Sequence, residues 1–437
     1  MKLASYALSQ PGSVQFAICA DECLLHFKED QLTPKQRADH ESNKDLIAFL
    51  QVASIAMSKP GDRVALYDRF AEEPWKSALH RYLALYAKLG QTTVGFEDLQ
   101  FHPRDDFYRP LVDTPPPTDL VSVFLLSGTN EHLRADPEAA EVSRLVNSKM
   151  NLARDARQFG IPVPESLVLA RRDIESDEAK AFLARHGQHV MLKVMGLSGS
   201  RNVTAIHSVE EGAAYLAEYQ QDVDILLQQR LPDRAFTEMT VDLRIDSDHV
   251  EITNVRQILF LNGLWIGNFI SDTLALTAAQ QSALLKVGEY VRSKGYVAPE
   301  GLNCGIDFFI GDDPAKDPIF IIEINARWTG GLMPAEMVRR LGAGSPGAVA
   351  VVDTVSVSRF ADYLAFLEGH LYDRERPFSM APMGFSPYGP VVDSDQRVYV
   401  WHLVFGDLVA FRKAKDAALG LEQLAATASV VLPSYLQ

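Results

Sequence analysis

The stretch from Gly301 to Gly331, GLNCGIDFFIGDDPAKDPIFIIEINARWTGG, leaves the chain few ways to fold. In IFIIEINAR, successive side chains of a strand point to opposite faces. Phe320, Ile322 and Ile324 then line one face, and Ile321, Glu323, Asn325 and Arg327 the other. An acid, an amide and a guanidinium therefore share a face. The partner strand is GIDFFI, joined through GDDPAKDP, which has the turn chemistry of a hairpin loop. Folding the hairpin about the middle of that loop brings Asp307 to within about one register step of Glu323. Two carboxylates and an amide oxygen suit magnesium, a hard ion that fills the rest of its octahedron with waters and phosphate oxygens. From this stretch alone, an exposed strand face with an ordinary ion pair between Glu323 and Arg327 reads equally well.

The rest of the chain bounds the answer. With 437 residues, 47% of them hydrophobic, two or three packed domains are expected. No apolar run is long enough to cross a bilayer, and MKLASYALSQPGSVQF lacks the apolar segment of a secretory signal, so a cytoplasmic protein away from membranes is expected. Cys19, Cys23 and Cys304 form no paired CxxC set, which argues against zinc and against a disulfide framework. A net charge of -15 without a cluster of Lys and Arg argues against a nucleic-acid partner.

Taken in order, residues 1–140 alternate apolar strands and amphipathic helices: VQFAIC, a helix over about Asn43 to Met57, RVALYD, a helix over about Pro74 to Leu89, and VSVFLLS. That pattern predicts an α/β layer with a parallel sheet. PLVDTPPPTD reads as a connector because its prolines exclude helix and central strand. SGTNEHLR, at the carboxyl end of the last strand, is a weak ligand signal and reads first as a loop.

A helix capped by Asn147 or Ser148 runs through KMNLARDARQF and stops at Gly160. Lys149, in its first turn, is badly placed for the helix dipole and projects to solvent or meets an anion. In HVMLKVMGLSGSRNVTAI, Val190, Leu192 and Val194 share one strand face, and Lys193 stands with Met191 and Met195 on the other. A half-buried lysine needs an anion. The turn from Gly196 to Asn202, with Gly196, Ser198, Gly199, Ser200 and Arg201, lets backbone N–H groups approach phosphate oxygens, although it lacks the spacing of a P-loop or a dinucleotide fingerprint. Further strands run through DILLQQRL, TEMTVDLRI and NFISD, and a helix spans about Ala278 to Lys294. After the hairpin, LMPAEMVRRLG predicts a short helix whose free N–H groups would suit a carboxylate or phosphate. From about Ala350 a smaller unit is expected, with helices near Ser358 to Glu368 and Leu421 to Ala426 around APMGFSPYGPVV and VYVWHLVFGDLVAF.

Helix-opening lysine, strand lysine, glycine loop, apolar strand into a polar turn, then acid, acid and amide: in this order the chain resembles the ATP-grasp superfamily over about Asn147 to Gly342. The motifs that carry the likeness are NSKMNLARDARQFGIPVP, VMLKVMGLSGS, GIDFF and FIIEINARWTGG. EINARWTGG, the preceding α/β segment and the APMGFSPYGP tail look more narrowly like pheganomycin-type peptide ligases. The resemblance implies a pre-ATP-grasp α/β domain over 1–140, an ATP-grasp region over 141–345 and a C-terminal domain over 346–437.

By the same resemblance, Lys149 and Lys193 would hold ATP phosphates, with the Gly196 to Asn202 loop closing over them. Gln228, Gln229 and Leu231 would form the hinge at the adenine, and Glu238 would bond the ribose. Asp307, Glu323 and Asn325 would bind magnesium as two ions, with manganese able to substitute, and Arg327 and Lys193 would act on the transferred phosphoryl group. One departure is Gln228, where the family often has Glu. The implied reaction is ATP-dependent joining of a small-molecule carboxylate and an amine, such as an amino acid or peptide, through an acyl phosphate. A homodimer is compatible with it. A small-molecule kinase and a nucleotide-binding sensor are the alternatives, and neither the cysteines nor the histidines are given a catalytic role.

Overall fold

The computed structural model describes residues 12–24, 29–114, 119–127, 130, 133, 137–187, 189–194, 202–219, 223–232, 235–261, 264–311, 318–342 and 347–419. The first layer comprises β1 (Val14–Phe16), α1 (Pro34–Met57), β2 (Arg63–Tyr67), α2 (Trp75–Lys88), β3 (Leu99–His102), α3 (Arg109–Asp113) and β4 (Asp119–Val121). Its strands are all parallel, in the order β3-β2-β1-β4. The expected α/β layer is thus present, with two differences. VSVFLLS contributes only its first residue to β4, and LQFH forms a strand, β3, that was not expected. Ser127 and Asn130 of the following loop both donate to the Asp21 carboxylate beyond β1.

After α4 (Pro137–Asn147) and α5 (Lys149–Phe159) come β5 (Ser166–Ala170), α6 (Asp177–Arg185), β6 (Val190–Val194), β7 (Val203–Ile206), α7 (Val209–Leu216) and β8 (Asp224–Gln229). Their strands make a small antiparallel sheet, β5-β8-β6-β7. Ser148 caps α5, its hydroxyl accepting from Asn151 N–H at 3.3 Å, and Gly160 ends the helix at φ 62°, a left-handed conformation that glycine adopts freely.

The remaining elements are β9 (Phe236–Ile245), β10 (Val250–Leu261), β11 (Leu264–Ile270), α8 (Ala278–Ser293), β12 (Leu302–Gly311), β13 (Ile319–Asn325), α9 (Leu332–Arg340), β14 (Ala348–Ser356), α10 (Phe360–Gly369), β15 (Phe378–Ser386), β16 (Val391–Val392), β17 (Asp395–Gly406) and α11 (Leu408–Leu419). A large sheet runs β13-β12-β9-β10-β11-β14-β17-β15. The strands of the segment expected as a C-terminal unit over 346–437 continue this sheet. They join it where β14 pairs with β11, from Gly267↔Val351 to Ile270↔Ala348. The expected boundary at residue 140 falls inside α4. Within VYVWHLVFGDLVAF, β17 ends at Gly406, and Asp407 accepts from Val409 and Ala410 N–H to start α11. The helix expected near Leu421 to Ala426 lies outside the described residues.

Two packing features position the site. Beneath β9, β12 and β13, one face buries Met239, Val241, Leu243, Cys304, Ile306 and Phe308 against α5 and α8, which leaves the other face of these strands for polar side chains. On the other side of the molecule, every residue of α1 from Ile47 to Met57 is buried, so this half of the helix, apolar but for Gln51 and Ser54, needs partners on both sides. The parallel sheet covers one side and β15 the other. A Cβ on Gly384 would stand 2.1 Å from the Phe49 carbonyl oxygen, and only glycine permits that approach.

Candidate active site

Strand β12 pairs with β13 so that Asp307 lies directly opposite Glu323 and Gly305 opposite Asn325. The two carboxylates meet as the sequence predicts, but the face assignment of β13 needs one correction. Between Asp307 and Phe308 the register slips, and Ile322 is the extra residue of a β-bulge. The alternation changes phase there. Ile319 and Ile321 join Ile324 and Ala326 in the core, while Glu323 and Asn325 face the site. Ile321 therefore does not share a face with Glu323.

On the polar face, β9 presents Glu238, Thr240 and Asp242, the middle one opposite Asp307. The Asn325 amide donates to the Asp307 carboxylate at 3.0 Å. Lys149, first residue of α5, reaches across to Glu323 with Nζ to Oε1 at 2.6 Å. The anion that the misplaced lysine meets is thus a carboxylate of the strand pair. Burial and the neighbouring Glu323 push the Asp307 carboxyl up to about 6, and burial with the nearby Asp307 charge pushes Glu238 up to about 8. Glu323 is held below the usual range: burial alone would raise it, but Lys149, and behind it Arg327 and Lys193, outweigh that. Three acids crowd one face, and Asp307 and Glu238 are raised despite the cations nearby.

Lys193 sits on β6 as the alternation predicts, with Val190, Leu192 and Val194 in the small sheet's core and the ammonium on the opposite face. It is buried, and burial and then Lys149 lower its pKa to about 8, against the pull of Glu323 and Glu238. Its Nζ donates to Gln228 Oε1 at 2.7 Å, and Gln228 Nε2 donates to Ser166 Oγ at 3.0 Å. Gln229 follows on the strand face that carries Ile225 and Leu227, so alternation turns it away from Lys193. Leu231 lies just past the end of β8. Gly196, Ser198, Gly199 and Ser200 fall outside the described residues.

Arg327 leaves β13 through a tight turn in which its N–H bonds the Asn325 carbonyl at 2.7 Å, and its guanidinium stands 5.8 Å from the Phe124 ring beyond β4. The next residue, Trp328, is fully buried against Phe16 of β1, so the first layer packs directly on this loop. The helix start that follows is not the anion site its sequence suggests. Leu332 N–H bonds Thr329 O at 3.1 Å, Met333 N–H bonds Gly330 O at 3.3 Å, and the third position is Pro334, which has no N–H. The turn consumes the donors.

Several residues escaped the sequence reading. Asn147 accepts from Ala326 N–H at 3.1 Å and donates to Ser143 O at 2.7 Å, clamping the residue between Asn325 and Arg327 to the end of α4. Two residues along β9 from Thr240, Asp242 is fully buried in an ion pair with Arg256 and also accepts from Asn303 at 2.9 Å, Asn254 at 3.1 Å and Thr329 at 3.3 Å. Part of the signal was available: in TEMTVDLRI, Glu238, Thr240, Asp242 and Arg244 recur in phase on one strand face, whereas in VEITNVRQ a bulge between Ile252 and Asn254 breaks the phase.

This architecture, an α/β layer with a parallel sheet, a small antiparallel sheet bearing a lysine and a large sheet with facing carboxylates, is the ATP-grasp fold. Two solved structures share it over nearly their whole length. Carboxyaminoimidazole ribonucleotide synthase from Aspergillus clavatus, complexed with ATP, superposes with a TM-score of 0.53 at 10% identity, covering 93% of this chain and 98% of its own. Phosphoribosylamine–glycine ligase from Thermotoga maritima gives 0.51 at 14% identity, covering 93% and 96%. No protein-family model and no curated protein matches the sequence. Among the described residues no helix is long and apolar enough to cross a membrane.

Proposed function

We propose that the protein is an ATP-dependent ligase that joins a carboxylate to an amine as an amide, releasing ADP and phosphate. The observation that carries this reading is the direct opposition of Asp307 and Glu323, with Lys149 bonded to Glu323 and Lys193 close enough to feel the Glu323 charge. The all-oxygen set of Asp307, Glu323 and Asn325 fits magnesium, and the repulsion that raises Asp307 is what a divalent cation would relieve. Bound there, magnesium would offset the negative charge of the phosphates. The T. maritima protein is by name a ligase of an amine with glycine, and the A. clavatus structure holds ATP, which supports the same reading here.

The chain's own groups have tasks of position and charge. Lys149 and Lys193 would hold the phosphates, Glu238 the ribose, and Arg327 the transferring phosphoryl group. A substrate carboxylate oxygen bonds the γ-phosphorus as its bond to the ADP oxygen breaks. The amine then attacks the acyl carbon, phosphate leaves, and the amine gives up a proton. No side chain acts as nucleophile: Cys304 is buried in the core and burial raises its thiol well above the usual range. Amino acids or short peptides are the substrates that the likeness to pheganomycin-type ligases favours.

The test is a screen of amino acids and short peptides for ADP release with ATP and magnesium, followed by mass analysis. With the carboxylate alone, hydroxylamine should trap a hydroxamate; with the amine, an amide should form alongside ADP and phosphate. A stable phosphorylated product would mean a kinase, no ADP above background a sensor, and AMP with pyrophosphate would exclude the mechanism.

A further inference from the structure

The hinge position that departs from the family pattern, Gln228, is not turned toward a base. Lys193 pairs by register with Leu226, so Gln228, two residues along β8, is its diagonal neighbour on the same face, within reach of a long side chain. An ammonium only donates, so the oxygen of the Gln228 amide must face Lys193, and the nitrogen then faces the Ser166 hydroxyl. Both ends are engaged and the side chain is only 5% exposed. Turning the carbonyl toward an adenine amine would leave a buried ammonium without its acceptor.

We propose that Gln228 is a positioning residue for Lys193: its neutral amide aims the ammonium at the nucleotide phosphates without neutralising it, and it plays no part in selecting the base. The proposal rests on the nucleotide-binding reading above. A glutamate here would form an ion pair with Lys193 and compete with phosphate for its charge. The amide leaves that charge free, at the expense of a weaker hold on the proton. Among the described residues, the charged groups that act on Lys193 are Lys149 from α5, Glu323 from β13 and Glu238 from β9, while β8 contributes the Gln228 amide. Base contacts then fall to the main chain past Gln229.

The experiment measures equilibrium binding of ATP and of GTP, each with magnesium, across about pH 6.5 to 9.5. The proteins are the parent and the Gln228→Glu, Gln228→Leu, Ser166→Ala and Glu238→Gln variants, each checked for folding by circular dichroism. In the parent, ATP affinity should fall as pH rises through about 8, where Lys193 loses its proton. In Gln228→Glu, ATP should bind roughly tenfold more weakly at pH 7, and the alkaline fall should move up by about a unit or more. Ser166→Ala should weaken ATP slightly, because it frees one end of the amide. Glu238 sits at about 8 as well, and Glu238→Gln should keep the alkaline fall if Lys193 carries it. Neither Gln228 variant should change the ATP to GTP ratio by more than about twofold.

A tenfold change in that ratio in either Gln228 variant would overturn the proposal, as would an alkaline fall that stays in place in Gln228→Glu or vanishes in Glu238→Gln. If the parent bound neither nucleotide, the nucleotide-binding reading itself would fail.

Discussion

Two polar clusters share one face of the large sheet, and they are built to opposite ends. Around Asp242, at one end, the buried carboxylate itself is fully answered: an arginine, two asparagine amides and a threonine hydroxyl surround it. Around Asp307 and Glu323, a few residues away on the same strands, the acids are crowded against one another, Glu323 keeps 32% of its side chain exposed, and the carboxyl groups are driven to different proton affinities. A carboxylate matched by an arginine and three further donors fixes geometry and has little call for a metal ion. An unsatisfied one costs stability and retains an appetite for cations. On the proposed reading, the Asp242 cluster holds the Arg327 to Gly331 loop in shape, and the Asp307 cluster serves the chemistry.

The strongest way to break that contrast is Glu323→Gln. Turnover of ATP with saturating magnesium should drop by about three orders of magnitude, to background, while chemical denaturation shows little change, since the group lies in an open site. Near-normal activity in the purified variant would sink the metal assignment. Arg256→Met should do the reverse, destabilising the fold by about 3–5 kcal/mol because it leaves Asp242 charged and unpaired in the interior. Adding Asp242→Leu to it should restore part of that loss; equal stability of single variant and parent would erase the distinction between the clusters.

Lys193→Ala should weaken nucleotide binding or phosphoryl transfer by about a hundredfold, and Lys149→Ala should act in the same direction. Unchanged affinity by calorimetry and unchanged turnover in both would rule out a phosphate clamp. The smallest expected effect sharpens the comparison instead. Asn147→Ala loosens the Ala326 main chain between Asn325 and Arg327, and should raise the magnesium needed for half-maximal turnover by roughly fivefold, the scale of one hydrogen bond. Asn147→Asp, which retains the acceptor for Ala326 N–H, should recover part of it.

Much of the site is legible in the sequence because strands report their faces. Lys193 opposite a valine–leucine–valine core and Asp307 against Glu323 follow from alternation and one hairpin. Reading fails where a single residue changes the phase, as the bulge at Ile322 does, since an extra residue leaves no compositional mark in an isoleucine run. It fails again at the start of α9, where glycines and a proline look like an open anion site but the turn from Thr329 closes on its own N–H groups. The placement of the C-terminal strands is hidden for a different reason: whether β14 joins β11 or starts a new sheet depends on a pairing between segments some eighty residues apart. No local pattern encodes that. Gln228 could be flagged as a departure, but its engagement with Lys193 and Ser166 needs three strands in register.

The burial of α1 on both sides has a consequence for how the protein is made. The segment LIAFLQVASIAM leaves the ribosome early, whereas β15, the cover for one of its sides, is more than three hundred residues further along the chain. Arg340, which donates to the Ala56 carbonyl at the end of α1, also arrives late. Throughout synthesis an apolar helix flank waits uncovered, the situation in which nascent chains recruit chaperones or aggregate. Chains stopped before Phe378 should therefore be insoluble or chaperone-bound, and those extended through Gly406 soluble, as sedimentation of a truncation series would show.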